Sequence, residues 1–402
     1  MATEITREQF FNEIKEARER KKTPDLSKKV LKNVDLKGEN LLGVKLQGTT
    51  LTGCNLEGAN LQGANLQGAV LHQVNLRKAE LQAADLQGAD LHSAQLEGAN
   101  LQKANLQKAN LDSAYFQDTN LQQADLTKAT LTNANFQRAD LRGADLSGLD
   151  LRRMDLSTCK LQGAILNGAN FQGANLDGFD LTDAVMQGVD LSGASLEQAL
   201  LTRVNFTKMA GSLFGFGGRA AANLSNASLR GANLEAAQLN EVNLFKANLS
   251  GANATRADLS LADAREANLQ GASLKQAALN QTRFQNAALN RATLTECVAG
   301  QTDFQAANLQ EALLQKATLA GCNFAEASGQ QASFAGANLQ NSRLDAAQLQ
   351  GAVFMGADLQ GASVLAANLQ EADLRGTCLK AILTNEKTQW PANFDPMLIS
   401  GL

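Results

Sequence analysis

Hydrophobic residues recur along this chain at every fifth position. In "NLEGANLQGANLQGAV" (residues 55–70), Leu stands at 56, 61 and 66, and Cys54, Ala59 and Ala64 stand two places before. Neither the 3.6-residue period of an amphipathic helix nor the two-residue period of a half-buried strand fits this spacing. With Leu, Phe or Met taken as the centre of a unit, the period holds from Leu36 to Phe206 without a gap, giving 35 units, with Leu26 and Leu31 in phase ahead of them. It resumes at Leu224 and runs to Leu379, 32 units, with smaller centres at Ala254, Ala264, Ala299, Gly329 and Val364. Phe206 and Leu224 are 18 residues apart, so the register slips between them. Two inward positions per five residues, one large and one small, predict a stacked solenoid that turns at every repeat.

The three prolines, Pro24, Pro391 and Pro396, lie outside the periodic region. Proline cannot donate to a strand ladder, so its absence predicts that backbone N–H groups are needed throughout the coils. Glycine, mostly the last residue of a unit, supplies a turn. The run A-(D/N)-L-x-x, as in "ANLQG", "ADLRG" and "ANFQR", resembles the pentapeptide-repeat family over roughly 350 of the 402 residues. That resemblance implies an all-β solenoid, a right-handed quadrilateral parallel β-helix with four pentapeptides per coil, and hence a narrow rod about 80 Å long at ~4.8 Å per rung.

If a coil takes 20 residues, positions 20 apart stack and show the preferences of neighbouring strands. Lys37, Glu57, Arg77 and Glu97 alternate in charge at that spacing. Gln62, Gln82, Gln102 and Gln122 form another column, as do Gln47, Gln67, Gln87 and Gln107, and Gln310, Gln330, Gln350 and Gln370. Core aromatics line up likewise: Phe116 with Phe136, Phe284 with Phe304 and Phe324, and Phe334 with Phe354.

The non-repeat pieces complete the organisation: a capping helix in 1–24, a first array over 25–208, a Gly-rich interruption at 209–221, a second array over 222–381 and a C-terminal cap over 382–402. Thr6 and Gln9 form a capping box before an amphipathic helix at about 6–21 that carries Phe10, Ile14 and Ala17 on one face. "WPANFDP" resembles the Trp-Pro…Phe-Asp-Pro tail that closes many members of the family. Trp390 and Phe394 are expected over the last coil, where a homodimer would also form. In the interruption, Leu213, Phe214 and Phe216 stand outside the period, either as a core plug or as a projecting loop that binds a partner.

Aromatic residues make up only 4 % of the chain, and the formal net charge is −4, split as +3, −5 and −2 over 1–33, 34–208 and 209–402. That balance suits neither nucleic-acid binding nor imitation of a polyanion. No apolar run reaches membrane-spanning length and the N-terminus has no secretory pattern, so a cytoplasmic protein is expected. Four of the five cysteines, 54, 159, 297 and 322, occupy the small inward position, where a thiol acts as a compact hydrophobe.

Candidate chemistry is sparse. His72, His92 and Asp112 share one column and are ligand types for zinc, but a straight row spanning about 10 Å converges poorly on one ion, so no metal and no cofactor are expected. Asp140, Asp145, Asp150 and Asp155 fall on four different sides of one coil and cannot act as a pair. The expectation is therefore a non-enzymatic scaffold for a protein partner. The resemblance implies two alternatives, a DNA-mimicking modulator that protects type II topoisomerase and a component or effector of a bacterial secretion system.

Overall fold

The computed structural model describes residues 3–207 and 221–395, and the chain divides into two compact units, Met1–Asn170 and Phe171–Leu402. In each, the residue before the centre makes a single-residue parallel pairing with its counterpart one coil on, as in Asn55 with Asn75 or Asn268 with Ala288. The 20-residue spacing means four repeats per coil.

The repeat built on Leu56 shows why these residues turn where they do. Its backbone N–H donates to the Asn75 carbonyl at 2.7 Å, Gly58 N–H to Arg77 at 2.8 Å, and Asn60 N–H back to Glu39 at 2.9 Å. Ala59 N–H closes a tight turn onto the Leu56 carbonyl at 3.0 Å. The fifth donor, Glu57 N–H, is taken by the Asn55 side chain at 3.2 Å. Each N–H thus has its own acceptor, which is the physical content of the missing prolines. The second turn residue has positive φ: +64° at Gly58, and +55° at Lys78 one coil on, where a side chain accepts the strain that glycine avoids.

The interior follows the five-residue pattern. Centres such as Leu56, Leu126 and Leu309 are fully buried, together with Ala59, Ala124 and Ala307 at the small position. Where the small residue is polar it stays satisfied: Thr49, Thr119 and Thr282 donate from their hydroxyls to the Leu26, Leu96 and Leu259 carbonyls. The phenylalanine columns stack as expected, with ring centroids 4.6 Å apart for Phe116 and Phe136, 4.8 Å for Phe304 and Phe324 and 4.9 Å for Phe334 and Phe354.

The N-terminus covers the open rung of unit 1. Strand β1 (Thr3–Glu4) pairs in parallel with β2 (Lys29–Val30), below the pairing of Val30 with Thr50. Helix α1 (Arg7–Glu19) opens with the Thr6/Gln9 capping box and buries Phe10 and Ile14. It stops short of residue 21 because Lys21 turns left-handed at φ 54°, with Lys21 and Lys22 N–H groups capping the Arg18 and Ala17 carbonyls. On two sides of the first coil the edge carbonyls have no preceding rung. Arg7 Nε donates to Asp35 O and Arg18 to Asn40 O, each at 2.8 Å, so two arginines of α1 stand in for backbone donors.

The register slip is an insertion in unit 2. Asp190, Ser195, Leu200 and Asn205 pair with Asn223, Ser228, Asn233 and Gln238, thirteen residues beyond the ordinary spacing. Phe206 and Leu224, the centres on either side of the insertion, are fully buried. The ladder passes the break without losing a rung, so the periodic regions before and after 209–221 stack as one.

Leu126 is fully buried among such rungs. Leu126→Ala is expected to cost about 2–5 kcal/mol, and Leu126→Lys more, since it buries an unpaired charge. Thermal melting of the three proteins checks this; a Lys variant melting with the wild type would place position 126 outside the core.

Candidate functional site

The outward positions are the one before the centre and the two that follow it. The position before the centre does the most, and its role was not evident in the periodicity. Its Asn or Asp oxygen accepts the N–H two residues on, while an Asn amide donates to the residue one coil earlier: Asn75 to Asn55 and Asn55 to Asp35, both at 2.9 Å. Where that position carries neither Asn nor Asp, the column supplies a carboxylate or amide from one coil earlier. Asp112 accepts from Thr132 N–H where Thr130 replaces Asn, and Asp177, Asn280 and Asp345 do the same for Glu197, Gly300 and Leu365, where Ser195, Val298 and Ser363 stand. The preference for Asn and Asp in the repeat was the available signal.

The charge column pairs as expected, with Lys37–Glu57 and Arg77–Glu97 both at 3.2 Å. The glutamine columns do so only in part. Gln87 donates to Gln107 and Gln310 to Gln330, both at 3.3 Å, but Gln107 and Gln122 turn their amides to Asp125 and Asp140, because a carboxylate is the stronger acceptor.

His72 and His92 face each other edge-on with centroids 6.0 Å apart, and His72 Nε2 lies against Asp90. Asp112 is held by Thr132, and no group of three His, Cys, Asp or Glu among the described residues is disposed to hold a metal ion. The four aspartates of one coil each serve their own corner: Asp140 and Asp150 grip Arg142 and Arg152 with two bonds apiece, and Asp145 and Asp155 accept from Ser147 and Ser157. Burial pushes the Cys159, Cys297 and Cys322 thiols up to about 12, which removes them as nucleophiles. Trp390 and Phe394 stack at 4.8 Å, half-buried, and the last rung ends with the pairing of Asn368 and Gln389. Leu213, Phe214 and Phe216 lie outside the described residues. Among the described residues no helix is long and apolar enough to cross a membrane.

Apolar side chains also break the polar surface. Leu313 and Met355 are 40 % and 48 % exposed on one side of unit 2, and Val298 on the adjoining side is 46 % exposed.

A family model described as a pentapeptide repeat region matches residues 89–166. A second, for pentapeptide repeats, matches eight stretches between 54 and 381, among them 54–92, 164–203, 222–260 and 347–381. No curated protein matches. Among solved structures, a pentapeptide repeat protein involved in heterocyst differentiation regulation, HetL of the cyanobacterium Nostoc sp. strain PCC 7120, is 31 % identical over 65 % of this chain and 95 % of its own, with TM-score 0.24. A pentapeptide repeat protein of the Arabidopsis thaliana thylakoid lumen is 26 % identical over 32 % and 66 %, with TM-score 0.22. QnrB1, a plasmid-mediated fluoroquinolone resistance protein, is 17 % identical over 60 % and 91 %, with TM-score 0.24.

The surface carboxylates carry a pH dependence. Hydrogen bonds from Arg375 hold Asp373 down to about 2, and Arg138 and Arg203 hold Asp118 and Asp183 below the usual range. A carboxyl depressed in the folded state stabilises above its unfolded pKa of about 3.9, and that contribution is lost as pH falls through the folded value. The melting temperature is expected to stay level from pH 7 to 5 and fall from about pH 4 towards 2. In Arg375→Gln, the Asp373 carboxyl should titrate back in the ordinary range, read by carboxyl-carbon NMR.

Proposed function

Because this chain belongs to the pentapeptide repeat family, we propose that it works without catalysis, as a cytoplasmic scaffold that binds a protein partner. In this reading the coils wind as the right-handed quadrilateral helix of the family, and the 382–402 cap joins two copies. The contact is assigned to the insertion at 209–221, with Leu213, Phe214 and Phe216 as its apolar anchors. What supports this is the corner from which the insertion leaves: Phe206 N–H reaches Gln238 O and Asn223 N–H reaches Val189 O, both at 2.8 Å, so the ladder closes from its own residues. Thirteen residues that are not needed for closure, with three large apolar side chains among four glycines, suit a contact on a rigid mount.

The DNA-mimicking alternative asks for a continuous negative row. Against it stand the ion pairs between coils, Lys37–Glu57, Arg77–Glu97 and Arg291–Glu311, which cancel charge rung by rung.

Affinity capture with the wild type and with a variant carrying Ser at 213, 214 and 216 tests the assignment. A partner retained by the wild type and lost by the variant is the expected outcome. Identical recovery by both would remove the insertion from the contact, and recovery of a type II topoisomerase by either would favour the alternative.

A further inference from the structure

One coil of unit 1 departs from the ladder on two adjacent sides. Among the described residues no pairing joins Thr130 to Asp150 or Asn135 to Asp155, although one coil earlier Asn110 pairs with Thr130 and Tyr115 with Asn135. The backbone donors show the same change. The N–H groups of Leu111, Ser113 and Phe116 reach carbonyls of the next coil at 2.9, 2.8 and 2.7 Å, whereas those of Leu131, Asn133 and Phe136 reach none. On the remaining two sides the same coils stay joined, through Asp140 with Lys160 and Asp145 with Ile165.

The cause is visible in the small inward position. Leu149 and Met154 occupy it where Ala139 and Ala144 stand on the preceding two sides. A close-packed interior has no slack for three extra heavy atoms per side chain, so added bulk there drives rungs apart. The neighbouring core responds: Leu131 and Ala129 are each 8 % exposed, against 0 % for Leu111 and Ala109 one coil earlier. The gap is lined by apolar side chains, among them Leu131, Phe136, Leu151, Met154 and Leu156. In place of the ladder, side chains reach the backbone across the second of these sides: Thr158 Oγ1 accepts Arg138 N–H at 2.8 Å, and the Cys159 thiol donates to Phe136 O at 3.0 Å.

We propose that this seam is an opening point built into unit 1. The sides at 131–136 and 150–156 part reversibly, while the paired rungs at Asp140–Lys160 and Asp145–Ile165 act as the hinge, and opening bares an apolar strip flanked by two free strand edges. The closed seam forgoes ladder bonds that the coils before it have, so its opening costs less than disruption of those coils. The proposal is independent of the scaffold reading.

Residue-resolved hydrogen exchange tests it on amides that are bonded in the closed form, so that a donor lacking a partner is not mistaken for opening. Ala134 N–H donates to Leu131 O within its own side, as Ala114 N–H does to Leu111 O one coil earlier, both at 3.0 Å. Ala134 is expected to exchange at least about a hundredfold faster than Ala114, as for a local opening well below the global one. In Leu149→Ala/Met154→Ala, Ala134 should slow towards Ala114, with Ala114 itself unchanged as the check on folding. Equal protection of the two amides in the wild type overturns the opening. Fast exchange of Ala134 that persists in the double variant overturns the cause assigned to it, and with it the seam.

Discussion

The constraint on which the coils depend is the placement of five backbone N–H groups per repeat. Two go to the next coil, one to the preceding coil, one closes the turn, and the last is left to a side chain, as at Leu56 to Asn60. The last assignment explains the residue that gives the repeat its character. An Asn or Asp before the centre is needed less for the outer surface than for the orphan donor it satisfies, and an Asn amide then ties one rung to another. The same demand reappears at the end of the stack, where Arg7 and Arg18 reach carbonyls that a preceding coil would otherwise occupy. The cap is therefore a continuation of the ladder by other donors, with Phe10 and Ile14 closing the core beneath.

The second constraint is volume. Side chains at the small position face a core already filled by the centres, and alanine, threonine or cysteine fit because each adds little bulk. A hydroxyl is tolerated since it donates to a carbonyl of the preceding coil, as Thr282 does to Leu259. Leucine and methionine have no such accommodation. At 149 and 154 the ladder, which is the stiff element, is the part that yields.

Much of this fold was legible in the sequence because its signals are periodic. A five-residue period with small and large inward positions specifies a turn at every unit, and the alternation of Lys37, Glu57, Arg77 and Glu97 points to a 20-residue coil whose rungs carry ion pairs. Features that break the period were harder to weigh. Leu149 and Met154 stand in plain view as exceptions to a small-residue rule, but their cost depends on how far the rungs can separate, which no pattern states. The column that Asp112 shares with His72 and His92 was evident, while its service to the orphan N–H of Thr132 was not. The insertion read as a boundary between arrays, since a slip of register looks the same in sequence whether a stack ends or continues on its far side. Leu213, Phe214 and Phe216 have no period at all to place them.

A chain that spends its backbone polarity and its interior on stacking leaves function to the places where the rule relaxes. On the flat sides some charges are held by neighbours of opposite sign, Arg142 by Asp140 and Arg291 by Glu311, and such exposed pairs contribute little. Burial likewise removes the inward thiols from chemistry. What remains distinctive is local: a ladder that closes on either side of thirteen inserted residues, exposed apolar side chains at Leu313 and Met355, and one coil left unpaired on two of its four sides. Each departs from the repeat at a cost to regularity that the repeat itself does not require, and departures of that kind are where selection for a partner, rather than for a fold, leaves its mark.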